Sequence, residues 1–288
     1  MNGVSTLEGS WEPLPGRRMS YRCWMPSKPR ALTVIVHGFG EHGGRYAPFA
    51  EALAAQGIAV GIPDLWGHGR SSGARGDVGS LPALVDQLAA FTQERLLPES
   101  GQQEYVVFGH SFGGLLAGLW ALDEPVGLMR VAVQSPLFET GFEIPQWKRQ
   151  AARVLATCWP SFRLSMELDV AGLTHDAAVV AAYRADPLVH GVMSAGTYVG
   201  ILRTRDEVVR RTPQNRVPVF LSYGMQDRIV SIPAAQQWFE RLTCEKHLVT
   251  YPECYHELHH ESVKDDVIRH VSAWVLEGRV PDTGVGAR

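Results

Sequence analysis

The alternation of short apolar runs with helical patterns constrains the fold of this chain more than any other feature of its sequence. Each run is continuous, which is typical of a strand buried on both faces of a parallel sheet. Buried strands separated by helices predict an α/β fold with a doubly wound, mostly parallel sheet. The predicted strands are residues 32–36, 58–63, 105–108, 131–134, 217–223 and 247–251, preceded by a hairpin of 4–11 and 18–25. The main predicted helices are residues 46–56, a helix capped by Ser80, and residues 112–122, 234–242 and 261–276.

One long stretch, residues 139–213, interrupts the alternation because it holds no convincing buried strand. Connections of this length are usually functional. We therefore expect a helical cap, inserted between two strands of a single domain that spans residues 1–288. Such a cap would cover the carboxyl edge of the sheet, where open α/β sheets bind their ligands.

Net charge, the lengths of the apolar runs and the cysteine spacing limit the functional classes to which this chain could belong. With 27 basic and 30 acidic residues the formal charge is −3, so the chain as a whole has no electrostatic attraction for nucleic acid. Its apolar runs are shorter than the roughly 20 residues that span a bilayer, and residues 1–19 lack the pattern of a secretory signal. The four cysteines have no CxxC or zinc spacing, which favours free thiols. These features predict a cytoplasmic globular protein; they say nothing of its oligomeric state.

The strongest chemical signal is the sequence GHSFG at residues 109–113, between a predicted buried strand and an apolar helix. This is the G-x-S-x-G nucleophile elbow in the context that it requires. Ser111 would occupy a strained turn, and glycine at 109 and 113 would avoid collisions across it. The alternative interpretation is a glycine-rich turn with a surface serine.

A serine hydroxyl needs a base, and in this arrangement the acid and the histidine follow the serine along the chain. Asp227 comes directly after the predicted strand 217–223, and His256 follows the last strand. We expect His256 to transfer the proton and Asp227 to orient its imidazole. Glu139 is the rival acid, and Asp227 could also be a turn aspartate. His259 and His260 are the rival bases.

A tetrahedral intermediate also needs hydrogen-bond donors that are already in place. The backbone N–H of Phe112, directly after the serine, is one expected donor. The other is expected from the loop after the first buried strand, with the N–H of Phe39 as the candidate.

Two other patterns suggest different chemistry. The sequence GFGEHG at residues 38–43 matches GxGxxG, and Asp64 follows near the end of the next strand, as in a dinucleotide site. His256, His259 and His260 with Cys254 could suggest a metal site. Both interpretations leave the sheet positions of the serine, acid and histidine unexplained, so we expect neither a metal nor an organic cofactor.

Several segments together resemble the monoglyceride lipase and lysophospholipase group of α/β-hydrolases. The segments that carry this resemblance are HGFGEHGGRY at 37–46, DLWGHGRSSG at 64–73, GHSFGG at 109–114, AYRADPL at 182–188, GMQDRIV at 224–230 and YHELHHE at 255–261. The resemblance runs from about Trp11 to Leu276. It implies hydrolysis of lipid-like carboxylic esters, with monoacylglycerols as the leading substrates. Lysophospholipids, short-chain esters, and carbon–carbon or amide bonds cleaved by the same three residues are the alternatives.

The resemblance also implies polar contacts with a glycerol-like head group from Glu41, Arg45, Tyr183 and His259. The alternative for Glu41 and Arg45 is a mutual salt bridge that fixes their loop. The sequence departs from the group at Phe39, where a small residue is common. A bulky side chain there would narrow the acyl entrance.

Residues 145–164 contain four basic residues and no acidic ones. In the predicted helix Trp147, Ala151, Val154, Leu155 and Cys158 share one face. Two interpretations are open: a surface that contacts membranes or micelles transiently, or an amphipathic helix packed on the core.

Overall fold

A computed structural model describes residues 3–281 and has an eight-stranded sheet as its centre. The order of the strands is β1-β2-β4-β3-β5-β6-β9-β10, with β1 and β2 antiparallel and the other six parallel to one another. The strands are β1 Val4–Leu14, β2 Arg17–Pro26, β3 Ala31–Val36, β4 Ile58–Pro63, β5 Tyr105–His110, β6 Leu128–Gln134, β7 Arg163–Ser165, β8 Val192–Ser194, β9 Val219–Gly224 and β10 Lys246–Tyr251.

Helices cover both faces of this sheet. They are α1 Ala47–Ala55, α2 Leu81–Phe91, α3 Leu97–Ser100, α4 Phe112–Asp123, α5 Gln146–Cys158, α6 Ala177–Ala185, α7 Ala195–Arg211, α8 Ile232–Glu240 and α9 Lys264–Glu277. Side chains of β3 alternate between two apolar layers, since Val34 and Val36 face one cluster and Ile35 the other. The first layer includes α2, α4 and α8, and the second includes α1 and α9. Among the described residues, no helix combines the length and apolarity needed to cross a membrane.

The structure confirms the predicted fold class and each of the predicted strands, and β4 has the limits expected from the sequence. The last helix begins at Lys264 instead of Glu261, because Leu258–His260 forms a separate short helical turn. Ser80 caps α2 as expected, its side chain accepting from the N–H of Ala83.

Residues 139–213 contain more than helices. They form α5, α6 and α7 together with β7 and β8, which pair as a small antiparallel sheet. These strands were not predicted from the sequence, because each has only three residues and the side chains of β7 are exposed. Helix α7 shares the main core, with Ile201 and Val208 buried in the same layer as α4.

Candidate active site

Ser111 lies at the turn between β5 and α4 in a strained conformation, with φ at +54° and ψ at −114°. Positive φ is uncommon for residues other than glycine and marks sites where the surroundings enforce it. A Cβ on Gly109 would lie 2.2 Å from the carbonyl oxygen of Gly113, and one on Gly113 would lie 2.0 Å from that of Val36. Both flanking positions therefore require glycine, and the turn presents Ser111 at the amino end of α4.

His256 and Asp227 form a buried pair at the carboxyl edge of the sheet. The Nδ1–H of His256 donates to Oδ2 of Asp227 over 2.7 Å. The other carboxylate oxygen accepts from the N–H groups of Ile229 and Val230, at 2.8 and 3.1 Å. The carboxylate that faces the imidazole is thus that of Asp227 and not that of its rival Glu139. Because Nδ1 is engaged, Nε2 is the nitrogen left to accept a proton.

Of the two candidate oxyanion donors, Phe112 directly follows Ser111, and Phe39 lines the same cavity as Ser111. Among the described residues, the N–H groups of Phe39 and Phe112 donate to no protein acceptor. Phe112 is the first residue of α4, where the helix dipole favours negative charge. The rings of Phe39 and Phe112 meet edge to face with centroids 5.5 Å apart, and Phe39 also packs on His68 at 4.8 Å.

A cavity of about 670 Å³ connects these groups, which is the size range of small-molecule sites. Ser111, His256 and Phe39 lie in its wall together with residues of the 139–213 segment. Most of the wall is apolar and includes Leu137, Phe138, Leu168, Val189, Met193 and Ile201. A serine and a histidine that face an apolar cavity suit the cleavage of a substrate with a hydrocarbon chain.

Comparison with known proteins assigns the family. A family model described as serine aminopeptidase, S33, matches residues 27–263. The monoglyceride lipase of Homo sapiens is 30% identical over 268 residues, which cover 91% of this chain and 88% of that protein. The chain belongs to the monoglyceride lipase-like family of α/β-hydrolases.

Two further similarities support this assignment. An uncharacterized abhydrolase domain-containing protein of Dictyostelium discoideum is 35% identical over 268 residues, which span 90% of this chain but only 28% of that protein. The crystal structure of a monoacylglycerol lipase from Paleococcus ferrophilus matches with a TM-score of 0.81 and 28% identity, over 91% of this chain and 99% of that one. The protein is therefore a serine hydrolase of the lipase and esterase type, with an α/β-hydrolase fold.

In this serine hydrolase, the electrostatics of His256 depend on Asp227. Burial alone would lower the pKa of the imidazole, but the adjacent carboxylate outweighs burial and raises the pKa above its usual value. The imidazolium likewise holds the pKa of Asp227 below its ordinary value, although burial opposes this. The pair is therefore suited to hold a proton taken from Ser111.

This arrangement predicts the pH dependence of the hydrolase. Only neutral His256 can accept the serine proton, so kcat/KM should fall as the pH decreases through the pKa of His256. Since Asp227 raises that pKa, the acidic midpoint is expected above about pH 6.5, the ordinary value for histidine. Asp227→Asn removes the negative charge that raises the pKa of His256, while the burial that lowers it remains. The acidic midpoint of the residual kcat/KM should therefore lie at lower pH than in the wild type. Profiles of kcat/KM for both proteins, with a dissolved ester, test this.

His110 is a site residue that sequence reasoning did not single out. Its ring packs against that of His256 with centroids 4.6 Å apart, and it lies in the cavity wall. Burial and the neighbouring His256 lower the pKa of His110 to about 3. His110 thus stays neutral and supports the ring of His256 without competing for protons. Its place beside the serine in the GHSFG motif is the signal that could have identified it.

The four residues implied for head-group binding have different locations. Glu41 and Tyr183 lie in the cavity wall, whereas the structure does not bring Arg45 or His259 to it. His259 is buried, donates from Nδ1 to the side-chain oxygen of Gln134 over 2.7 Å, and stacks on Tyr46. Arg45 forms ion pairs with Glu41 and with a second carboxylate, that of Glu257.

The groups that could suggest a metal or a dinucleotide have protein partners. Glu257, His259 and His260 have potential ligand atoms within 4.8 Å of one another, but Glu257 binds both Arg45 and His260. The Glu257 carboxylate is thus part of an ion-pair network with Arg45 and His260. In the GxGxxG segment, the two oxygens of Asp64 accept from the N–H groups of Gly43 and Arg70, so they hold the loop and are not free for a ribose.

Proposed function

We propose that this protein hydrolyses lipid-like carboxylic esters, with monoacylglycerols as the leading substrates, through an acyl-enzyme on Ser111. The observation that carries the proposal is the placement of Ser111 and His256 in the wall of one apolar cavity, with His256 hydrogen-bonded to Asp227 behind it. Similarity to the monoglyceride lipase of Homo sapiens and to the monoacylglycerol lipase of Paleococcus ferrophilus supports this substrate class. The apolar wall accommodates the acyl chain.

In the first half-reaction, the Ser111 hydroxyl attacks the ester carbonyl carbon while Nε2 of His256 removes its proton. The carbonyl oxygen becomes an oxyanion, to which the N–H groups of Phe39 and Phe112 donate. Collapse of this intermediate breaks the bond to the alcohol, and His256 returns the proton to the leaving oxygen. Asp227 keeps the imidazole in the required tautomer throughout.

The second half-reaction repeats these steps with water. His256 removes a proton from the water, the hydroxide attacks the acyl carbon, and the same two N–H groups stabilise the second oxyanion. Ser111 leaves with the proton that His256 held. The fatty acid is released, and every proton is transferred by groups of this chain.

Tyr183 is the proposed polar contact for the alcohol part of the substrate. It lies in the cavity wall, and within residues 3–281 its hydroxyl has no hydrogen-bond partner. We propose that residues 139–213 act as a cap that supplies both this group and much of the apolar wall.

Rates across a substrate panel test the proposal. The panel holds monoacylglycerols of several chain lengths, a lysophospholipid, short p-nitrophenyl esters and an amino-acid p-nitroanilide. The highest kcat/KM is expected for a monoacylglycerol. Preference for the lysophospholipid or the short esters would contradict the substrate assignment, and preference for the anilide would replace ester by amide hydrolysis.

The exposed face of α5 supports transient binding to an anionic lipid surface. Trp147 and Val154 of α5, and Trp159 directly after it, are 68%, 63% and 59% exposed, so this face does not pack on the core and the first of the two interpretations remains. Only Ala152 of α5 is fully buried. The four cations between residues 145 and 164, with no acidic residue, complement an anionic headgroup layer.

We therefore expect Trp147→Ser/Trp159→Ser to weaken binding to vesicles that contain anionic lipid by about tenfold, because two large apolar side chains no longer enter the interface. Hydrolysis of a dissolved ester should change far less. Sedimentation with vesicles measures the binding. Val126→Ser is the matched control, since Val126 is 84% exposed and lies outside α5. Equal loss in both variants would contradict the role of this face.

A further inference from the structure

A buried ion-pair cluster lies between the two loops that carry the proposed catalytic groups. Arg45 is at its centre, with a side chain only 8% exposed, and its partners Glu41 and Glu257 are 4% and 2% exposed. Nη1 and Nη2 of Arg45 each donate to one oxygen of Glu257 over 2.7 Å, and Nη1 also contacts Glu41. Because a bidentate guanidinium–carboxylate pair restrains angle as well as distance, the cluster is a rigid link.

On one side, the cluster holds the oxyanion loop. Oε1 of Glu41 accepts from the N–H of Gly38 and from the hydroxyl of Tyr46, each over 2.7 Å. A Cβ on Gly38 would lie 2.7 Å from the same oxygen, so a side chain there would displace the carboxylate of Glu41. Gly38 directly precedes Phe39. The position of the Glu41 carboxylate therefore helps to set the position of the Phe39 N–H.

On the other side, the cluster holds the histidine loop. Glu257 directly follows His256, and its second oxygen also accepts from Nδ1 of His260 over 2.7 Å. The N–H of Glu257 donates to the carbonyl oxygen of Leu173. The side chain and the backbone of Glu257 thus both restrain the segment that carries His256.

The 139–213 segment covers the cluster. The guanidinium of Arg45 lies 4.7 Å from the ring centroid of Tyr183, which is itself buried. This cation–π contact shields the ion pairs from water. Burial alone would raise the pKa of Glu41 and of Glu257, but Arg45 outweighs burial and holds both pKa values below their usual range. Both carboxylates are therefore charged and depend on Arg45.

We propose that Arg45 is a positioning residue for ester hydrolysis: by joining Glu41 to Glu257 it sets the oxyanion donor of Phe39 relative to the base His256. This inference rests on the proposed roles of those two residues. It differs from the head-group role implied by the resemblance, because the carboxylate oxygens of Glu41 and Glu257 are already occupied by donors of this chain.

The test compares an ester that contains glycerol, a monoacylglycerol, with one that lacks it, p-nitrophenyl butyrate. Arg45→Lys should lower kcat about tenfold and Arg45→Met about a hundredfold for both esters, with KM within about twofold. Lysine keeps the charge but cannot bind both oxygens of Glu257 and reach Glu41 at once, so it should restore only part of the activity.

A head-group role predicts a different pattern: KM rises for the monoacylglycerol alone, and the p-nitrophenyl ester is unaffected. That pattern, or an unchanged kcat for both esters, would overturn the proposal. Arg95→Lys is the matched control, because Arg95 pairs with Glu99 on the surface and is absent from the cavity wall. Its kinetics should equal those of the wild type.

Thermal unfolding is measured first, since Arg45→Met leaves two buried carboxylates without a counter-ion. If that variant does not fold, the positioning role is tested by kcat and KM of the charge-conserving Arg45→Lys alone. Failure of the proposed function would look different, because it would appear in the wild type itself, as hydrolysis of neither ester or as a preference for the short p-nitrophenyl ester. An active wild type with an equally active Arg45→Lys contradicts only the positioning role.

Discussion

Ser111→Ala is expected to lower ester hydrolysis by about a millionfold, the largest effect of any single substitution in this protein. Without the hydroxyl no acyl-enzyme can form, and what remains is the contribution of the oxyanion donors and of substrate binding. The measurement is kcat for p-nitrophenyl butyrate. The variant is expressed separately and purified on unused columns, so that no wild-type enzyme contributes to its activity.

The fold should survive this change. Alanine removes one oxygen, and the elbow is enforced by its neighbours: Gly109 and Gly113 allow the tight approach, and the Ser111 backbone N–H donates to Gln134. A thermal midpoint close to that of the wild type is the control. An active, folded Ser111→Ala would show that another residue is the nucleophile.

Asp227→Asn is expected to lower kcat by about ten-thousandfold. The asparagine oxygen can still accept from the N–H groups of Ile229 and Val230, so its amide nitrogen would face His256. Nδ1 of His256 must then accept a hydrogen bond, which places the proton on Nε2. In that tautomer His256 cannot remove the proton of Ser111.

The matched control is Glu139→Gln, which changes the carboxylate that rivalled Asp227 in the sequence. The side chain of Asp227 is fully buried against His256, whereas the backbone carbonyl of Glu139 accepts from Ser231. Glu139 also lies in the cavity wall, so a modest change in KM is expected for Glu139→Gln. Loss of kcat in Glu139→Gln but not in Asp227→Asn would reverse the assignment of the acid.

The sequence predicted the fold well because its signals are local. A continuous apolar run such as 58–63 identifies a buried strand without knowledge of its neighbours, and β4 has those limits. The positions of Ser111, Asp227 and His256 follow from the same logic, since each lies in the turn or loop after a predicted strand. Parallel strands bring such positions to one edge, where the structure places the hydrogen bond between Asp227 and His256.

Contacts between distant segments could not be predicted in this way. The pairing of Arg45 with Glu257 joins residues 212 positions apart, and neither position has a periodic signal. Burial of His259 against Tyr46 and Gln134 depends on how two loops pack, so its absence from the cavity wall was visible only in three dimensions. These contacts determine which polar residues face the cavity.

The structure of the 139–213 segment could be predicted only in part. Its helical pattern could be predicted, but a helical wheel shows which residues share a face and not whether that face is covered. The apolar face of α5 with Trp147 and Val154 is exposed, and α5 instead packs through Ala152. Which face of α5 is exposed depends on where α7 lies. The sequence of α5 alone does not predict that position.

Covalent labelling tests the central claim, a nucleophilic Ser111 activated by His256, most directly. The protein is incubated with a fluorophosphonate, digested, and mapped by mass spectrometry, with Ser111→Ala treated in parallel. We predict one adduct, on Ser111, whose formation slows at pH values below the pKa of His256 and is absent from Ser111→Ala. An adduct on another residue, or labelling that persists in Ser111→Ala, would contradict the account.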